Sequence, residues 1–106
     1  MADPMQQAMG PVKERYVARL HERIALLARL QAQLHSGPLG AEDATALHEQ
    51  AHQLAGNGAI FGFVDISNAG RALEQLLLAQ GAHASVQRAL AALLQACHAA
   101  VIDSAS

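Results

Sequence analysis

Residues 17–34 read VARLHERIALLARLQAQL, and they carry the clearest structural pattern in the chain. Apolar side chains recur there mostly at three- and four-residue steps, which is the spacing of one face of an α-helix. The members of this stripe are Val17, Leu20, Ile24, Leu27, Leu30 and Leu34. We therefore predict a long amphipathic helix that begins at Pro11, where proline suits the first turn, and ends at Gly37-Pro38.

A second helix is predicted to begin near Ala41, and two glycines lie within it without breaking the register of its apolar stripe. The stripe consists of Leu47, Ala51, Leu54, Gly58 and Phe61. Because a glycine inside a helix costs about 0.8–1 kcal/mol relative to alanine, Gly56 and Gly58 indicate that another group approaches this helix closely. We predict one continuous helix that Gly62 ends.

Two more helices complete the pattern. The third is predicted to begin near Asp65 or Ser67, both good N-caps, and to stop at Gly81. The core stripes of the third and fourth helices are Ile66, Ala69, Leu73, Leu76 and Leu77, and Val86, Leu90, Leu93, Cys97 and Val101. Short connections make consecutive helices antiparallel neighbours. The predicted fold is all-α, an antiparallel up-down-up-down four-helix bundle over residues 11–106, preceded by a loose, flexible N-terminal arm over residues 1–10.

The composition excludes several classes of protein. With 52% hydrophobic and 15% charged residues, the chain does not resemble a disordered one. A net charge of −2 and only three aromatic residues argue against nucleic-acid binding. The single cysteine, Cys97, can form neither an internal disulfide nor a Cys-based zinc cluster, and its stripe position predicts burial. No signal peptide and no apolar run of about eighteen residues is evident, so we expect a cytoplasmic domain without a membrane span.

His52 is the main candidate for chemistry. It lies at the edge of the second-helix stripe, and its helical neighbours on the C-terminal side are the small residues Ala55, Gly56 and Ala59. A neutral imidazole can attack a phosphoryl group to give a phosphohistidine, whose P–N bond is labile enough for onward transfer. Such transfer usually needs Mg²⁺, and because the chain shows no evident Mg²⁺ site, a partner would have to supply the ion.

The stretch from Ala51 to Phe63, AHQLAGNGAIFGF, resembles the signature of histidine phosphotransfer (HPt) domains. Residues 66–74, ISNAGRALE, resemble the next helix of that family, which typically ends in a Leu-Glu pair. The resemblance implies that His52 is the phosphoacceptor and later the donor, and that Gly56 leaves space for the phosphoryl group and the partner.

The resemblance also implies the partners, which would be receiver domains of a hybrid histidine kinase and of a response regulator. Their aspartates and Mg²⁺ would perform the catalysis, so the chain would need no cofactor of its own. The chain departs from the family at Ala55, where Lys is common near the phosphoryl group. Gln53 and Asn57 remain as neutral hydrogen-bond donors. The predicted phosphoryl surroundings and docking residues are His48, Gln53, Ala55, Gly56, Asn57 and Ala59.

Two alternatives stay open at this point. The residues from His48 to His52 also spell HExxH, the pattern of zinc peptidases, with a Glu as general base. The extended pattern would need Gly at position 55 and His at position 58, which are Ala and Gly here, and Glu74 is only a distant carboxylate. The other alternative is a helical adaptor that accepts no phosphate. No Gly-rich nucleotide loop is present, so we expect a phosphocarrier and not an enzyme that turns over ATP. A histidine that folded partners must reach favours a monomer.

Five of the seven cationic side chains lie on the first helix, namely Lys13, Arg15, Arg19, Arg23 and Arg29. This ridge has two interpretations. It is either a solvated face balanced by Glu14 and Glu22, or a positive patch that steers the acidic mouth of a receiver domain.

Overall fold

A computed structural model describes the backbone of residues 4–105 and the side chains of residues 10–104. Its elements are α1 (Pro4–Ser36), α2 (Ala41–Asn57), a short 3-10 helix (Ala59–Phe61), α3 (Val64–Leu78) and α4 (His83–Ala105). No β-strand occurs within residues 4–105. The periodicity of the apolar residues therefore predicted the fold class correctly, a bundle of four helices.

The first helix begins earlier than predicted. It starts at Pro4, and Pro11 lies inside it, so residues 4–10 are helical where we expected a loose arm. Pro4 occupies the first helical position that we expected for Pro11. The residues between the two prolines include Met, Gln and Ala, which are good helix formers. Residues 1–3 of the predicted arm lie outside the described residues. At 33 residues, α1 sets the 52 Å length of the molecule.

The order of contacts shows how the helices run. Along α1, Tyr16 meets Asn57, Arg23 meets Gln50 and Arg29 meets Asp43. Residue numbers therefore rise on α1 as they fall on α2, which makes the two helices antiparallel. At the other end of α1, the carbonyl oxygen of Leu34 accepts a hydrogen bond from the side chain of Gln87, near the start of α4. Near the start of α1, Lys13 and Glu14 line a pocket together with Asp103, which is near the end of α4. Residue numbers thus rise on α1 as they fall on α4, which makes α4 antiparallel to α1 as well.

The core lies along the predicted stripes. Its largest fully buried side chains are Leu20, Leu27, Leu30, Leu47, Leu54, Ile66, Leu73, Leu90, Leu93 and Cys97. Burying one such leucine contributes about 1.5–3 kcal/mol, so these rows hold the four helices together. The segment His83–Ser104 of α4 is long and apolar enough to span a membrane by those two criteria alone, which an apolar core helix also meets. Its stripe of Val86, Leu90, Leu93 and Cys97 packs in the bundle core.

The second helix ends in two steps rather than running unchanged to Phe61. The α-helix stops at Asn57, Gly58 keeps right-handed helical angles, and a 3-10 turn follows. Gly62, with a φ of 85°, then ends the helical path where predicted, because this left-handed conformation favours glycine. A Cβ atom at Gly58 would lie 2.9 Å from the backbone nitrogen of Ser67 and 3.0 Å from the carbonyl oxygen of Phe63. This close approach of the start of α3 explains one of the two glycines.

The start of α3 also differs from the prediction. The helix begins at Val64, after Phe63, which provides no side-chain cap. Ser67, one of the two predicted N-caps, lies inside the helix with only 2% of its surface exposed. Its hydroxyl donates a 2.7 Å hydrogen bond to the carbonyl oxygen of Ala55. The cap prediction is wrong because the hydroxyl finds an acceptor on a neighbouring helix, which the local pattern does not reveal.

Candidate functional site

The imidazole of His52 stands at the surface of α2. Its side chain is 72% exposed, although the preceding residue, Ala51, is fully buried. The position follows from the helical register, since His52 comes directly after a core position and lies at the edge of the buried stripe. The ring is therefore held on a rigid helix and remains accessible to another protein.

Glu74 of α3 holds the ring in place. One of its carboxylate oxygens, Oε2, pairs with Nδ1 of His52 across the two helices, and its side chain is only 19% exposed. Because a carboxylate accepts hydrogen bonds, Nδ1 donates the proton, and in the neutral ring the lone pair lies on Nε2. The arrangement thus makes Nε2 the nucleophilic atom. We did not predict this pairing from the sequence, although Glu74 is part of the Leu-Glu pair that carried the family resemblance.

Small residues bring α3 close enough for this contact. A Cβ atom at Gly70 would lie only 2.8 Å from the backbone nitrogen of Ala55 and 3.0 Å from the carbonyl oxygen of Ala51. With the hydrogen bond from Ser67, these contacts fix the register of α3 against α2. We call this contact the α2–α3 seam. Ala55 is only 9% exposed within it, so Ala55 is part of the packing and not of an open docking face.

Gly56 has the open surroundings that the sequence predicted. A Cβ atom at this position would have no neighbour within 4 Å, and both Gly56 and Ala59 are exposed. Gly58 therefore makes room for the chain itself, whereas Gly56 leaves room beside His52 that the chain does not fill.

The two neutral amides predicted near the phosphoryl group lie on the other flank of α2, towards α1. Gln53 accepts a 3.0 Å hydrogen bond from Nη1 of Arg23, and Asn57 accepts a 2.9 Å bond from the hydroxyl of Tyr16. We call this second contact the α1–α2 seam. The structure therefore separates these amides from the pair of His52 and Glu74, which faces α3.

The aromatic residues form one cluster at the end of the α1–α2 seam. The ring of Tyr16 stacks on Phe61 and Phe63, with centroids 4.5 and 5.7 Å apart, and the Nζ atom of Lys13 lies 5.1 Å from the centroid of Phe63. Burial raises the pKa of Tyr16 to about 12, and Cys97 adds to this shift while Arg23 opposes it. Burial likewise raises the pKa of Cys97 to about 11, against an opposing effect of Arg23.

His48, one turn before His52, is partly buried. Its Nε2 atom is enclosed and has no hydrogen-bond partner in the described part of the chain. No group of three His, Cys, Asp or Glu side chains that could hold a metal occurs among the described residues. Among the described residues, the two histidines of the HExxH pattern therefore have no third side chain of the kind that a catalytic zinc site requires.

The cationic ridge of α1 is only partly engaged. Arg23 bonds to both Gln50 and Gln53, and Arg29 forms an exposed ion pair with Asp43 at 3.4 Å. Within residues 10–104, Arg15 and Arg19 form no ion pair, so the predicted balance by Glu14 and Glu22 involves no direct salt bridge.

Comparisons with known proteins identify the family. The family model described as Hpt domain matches residues 12–104, which is most of the chain. No curated protein and no solved structure matches it. The match agrees with four helices that present an exposed histidine beside a glycine with open surroundings. The chain therefore belongs to the HPt domain family, the helical phosphocarrier modules that exchange phosphoryl groups with receiver domains in two-component phosphorelays.

Proposed function

We propose that His52 receives a phosphoryl group from the aspartate of one receiver domain and passes it to the aspartate of another. The observation that carries this proposal is the exposed imidazole, whose Nδ1 is bound to Glu74 and whose Nε2 is therefore available for attack. The donor is the receiver domain of a hybrid histidine kinase, and the acceptor is that of a response regulator.

The transfer step balances without a further reactant. The lone pair on Nε2 forms a bond to phosphorus, and the bond between phosphorus and the aspartyl oxygen breaks, so the carboxylate leaves with the electron pair. The phosphorylated ring keeps its proton on Nδ1 and is positively charged. The carboxylate of Glu74 stabilises that charge, and its effect grows as the charge develops in the transition state. Transfer to the second aspartate reverses these steps.

The chain supplies position, and its partner supplies the metal. Phosphoryl transfer depends mainly on alignment and on neutralisation of charge, usually by Mg²⁺. We assign the Mg²⁺ to the receiver domain, and to this chain an oriented imidazole beside a surface of small residues at Gly56 and Ala59. The protein is then a monomeric, cytoplasmic phosphocarrier without catalytic turnover of its own.

Labelling tests the proposal directly. Incubation with a phosphorylated receiver domain should give a protein-bound phosphate that is labile in acid and stable in base. His52→Gln should abolish this label, whereas His98→Gln, at an exposed position of α4, should retain it. The proposal is wrong if the wild-type protein takes no label or if His52→Gln is labelled normally.

A second variant tests the role of Glu74 as a positioning residue. Glu74→Gln keeps a neutral acceptor but loses the charge, and charge-assisted hydrogen bonds are about twice as strong as neutral ones. We expect transfer at saturating receiver to slow by about tenfold, which corresponds to about 1.4 kcal/mol, while receiver affinity stays unchanged. Asp65→Asn, an exposed acid in the first turn of the same helix, is the matched control. An equal loss of affinity would contradict a positioning role.

A further inference from the structure

Phosphorylation of His52 would add negative charge that no Lys or Arg side chain of α2 neutralises. A phosphoryl group brings about −1.5 to −2 charges near pH 7. Glu74 already places a carboxylate against the ring, and Glu49 lies one turn before His52 on the same helix. The segment Ala41–Asn57 contains neither Lys nor Arg. Any Lys or Arg side chain contributed by this chain must therefore come from another helix, and the Nε2 atom of His48, one turn before His52, is enclosed.

We propose that Arg71 of α3 provides this cation and contacts the phosphoryl group on Nε2 of His52. The inference rests on the function proposed above and assigns to Arg71 a role that the transfer chemistry does not itself specify.

The register of α3 places Arg71 beside His52. Arg71 lies four residues after Ser67, which bonds to Ala55, and three residues before Glu74, which pairs with His52. Residues three and four apart share one face of a helix, so Arg71 lies along the same edge of α3 as these two residues. Along the length of the α2–α3 seam, Arg71 therefore lies between the positions of Ala55 and His52.

The neighbouring residue shortens the distance that the arginine must reach. Gly70 packs its backbone against α2, where even a Cβ atom would lie 2.8 Å from the nitrogen of Ala55. Because Arg71 follows directly in the chain, its Cα atom is also near α2. A guanidinium is planar and forked, and it suits phosphoryl oxygens better than a point charge does.

Arg71 is also available, in contrast to Arg23 of α1. It is exposed, and its side chain forms no hydrogen bond or ion pair within residues 10–104. Arg23 lies on the opposite flank of α2, where Nη1 bonds to Gln50 and Gln53 at 3.0 Å each. Recruiting Arg23 would break these bonds, whereas Arg71 can turn towards the phosphoryl group without giving up a contact.

Phosphorus NMR of the phosphorylated protein tests this assignment. Phosphoramidate serves as a small donor that needs no receiver domain, and the signal missing from His52→Gln identifies phosphorylated His52. The measured quantity is the pH midpoint at which the doubly charged phosphoryl group takes up a proton and becomes singly charged. A cation at contact distance stabilises the doubly charged form, so Arg71→Ala should raise the midpoint by about half a pH unit to one pH unit.

The controls separate charge from structure. Arg71→Lys keeps the charge, so its midpoint should lie close to that of the wild-type protein. Arg88→Ala, at an exposed site on α4, should leave the midpoint unchanged. A wild-type midpoint in Arg71→Ala would overturn the inference, as would a shift found in Arg23→Ala and not in Arg71→Ala. If no signal depends on His52, the proposed phosphoacceptor itself is wrong and the inference falls with it.

Discussion

The two flanks of α2 are built from opposite kinds of residue. The α2–α3 seam consists of small side chains and backbone, with Gly70 against Ala51 and Ala55, and no room for one added carbon. The α1–α2 seam consists of long polar and aromatic side chains, such as the pairs of Arg23 with Gln53 and of Tyr16 with Asn57. Backbone contacts fix a helix more tightly than flexible side chains, which can change rotamer. The α2–α3 seam, which consists of backbone contacts, is the one that aligns Glu74 with His52.

The largest effect is expected from Gly70→Ala, which adds one methyl group to the tight seam. The new Cβ would lie 2.8 Å from a backbone nitrogen that no side-chain rotation can move away. Overpacking of this kind costs about 1–3 kcal/mol, and α3 must shift with its Glu74. Urea unfolding should show the lost stability, and labelling should show slower transfer. Unchanged stability would mean that the seam is no tighter than the other flank.

On the α1–α2 seam, Tyr16→Phe should cost about 1 kcal/mol through the hydrogen bond to Asn57, with the ring stack retained. It should also change the response to alkali. Burial raises the pKa of Tyr16 from its ordinary value of 10.0 to about 12 in the folded protein, so the folded state holds the proton to higher pH than the unfolded state does. Wild-type stability should therefore fall as the pH rises from about 10 to 12.

Denaturation at a series of pH values would check this prediction. Cys97, with a pKa of about 11 against 9.0, contributes a fall of the same sign between these values and remains in the Tyr16→Phe variant. The variant should thus lose only part of the alkaline decline. An identical decline in both proteins would show that Tyr16 is accessible to solvent.

Gly56→Ala should act in the opposite direction to Gly70→Ala. Nothing lies within 4 Å of the added carbon, and alanine stabilises a helix by about 0.5–1 kcal/mol relative to glycine. The methyl group would nevertheless occupy the open space beside His52, so phosphoryl transfer should slow while stability rises. A gain in stability with unchanged transfer would show that the partner does not use this space.

The smallest effect is expected from Arg29→Ala, which removes an ion pair from the α1–α2 seam. Arg29 lies 3.4 Å from Asp43, and the two side chains are 51% and 29% exposed. Exposed pairs contribute about 0–1 kcal/mol, and salt weakens them further. We expect a change within about 0.5 kcal/mol in low salt and none in high salt. A larger loss of stability would mean that the α1–α2 seam holds α1 as firmly as the small residues of the α2–α3 seam hold α3.

Local pattern predicted the helices and most of the core, because a stripe such as Leu20, Leu27 and Leu30 depends only on the helical repeat. The exposure of His52 and the open surroundings of Gly56 were also predictable, since both follow from position on one helix. The pairing of His52 with Glu74 was not, because it joins residues 22 positions apart and depends on the register between two helices.

The observed burial of Ser67 and of Ala55 has the same cause. Ser67 has the local properties of an N-cap, but the carbonyl of Ala55 on another helix accepts its hydrogen bond. Ala55 has the local properties of an exposed small residue, yet Gly70 brings α3 against it. In each case a contact between helices determines the position of the side chain, and no periodicity within one helix encodes that contact.

Tyr16 provides an intrinsic spectroscopic probe of the contact between α1 and the end of α2. The chain contains one tyrosine and no tryptophan, so its intrinsic fluorescence arises from a single ring packed between α1 and the end of α2. Emission and near-ultraviolet dichroism therefore report on that junction, without labelling. A local separation of α1 from α2 would appear in these signals, whereas far-ultraviolet dichroism would register only the loss of the helices themselves.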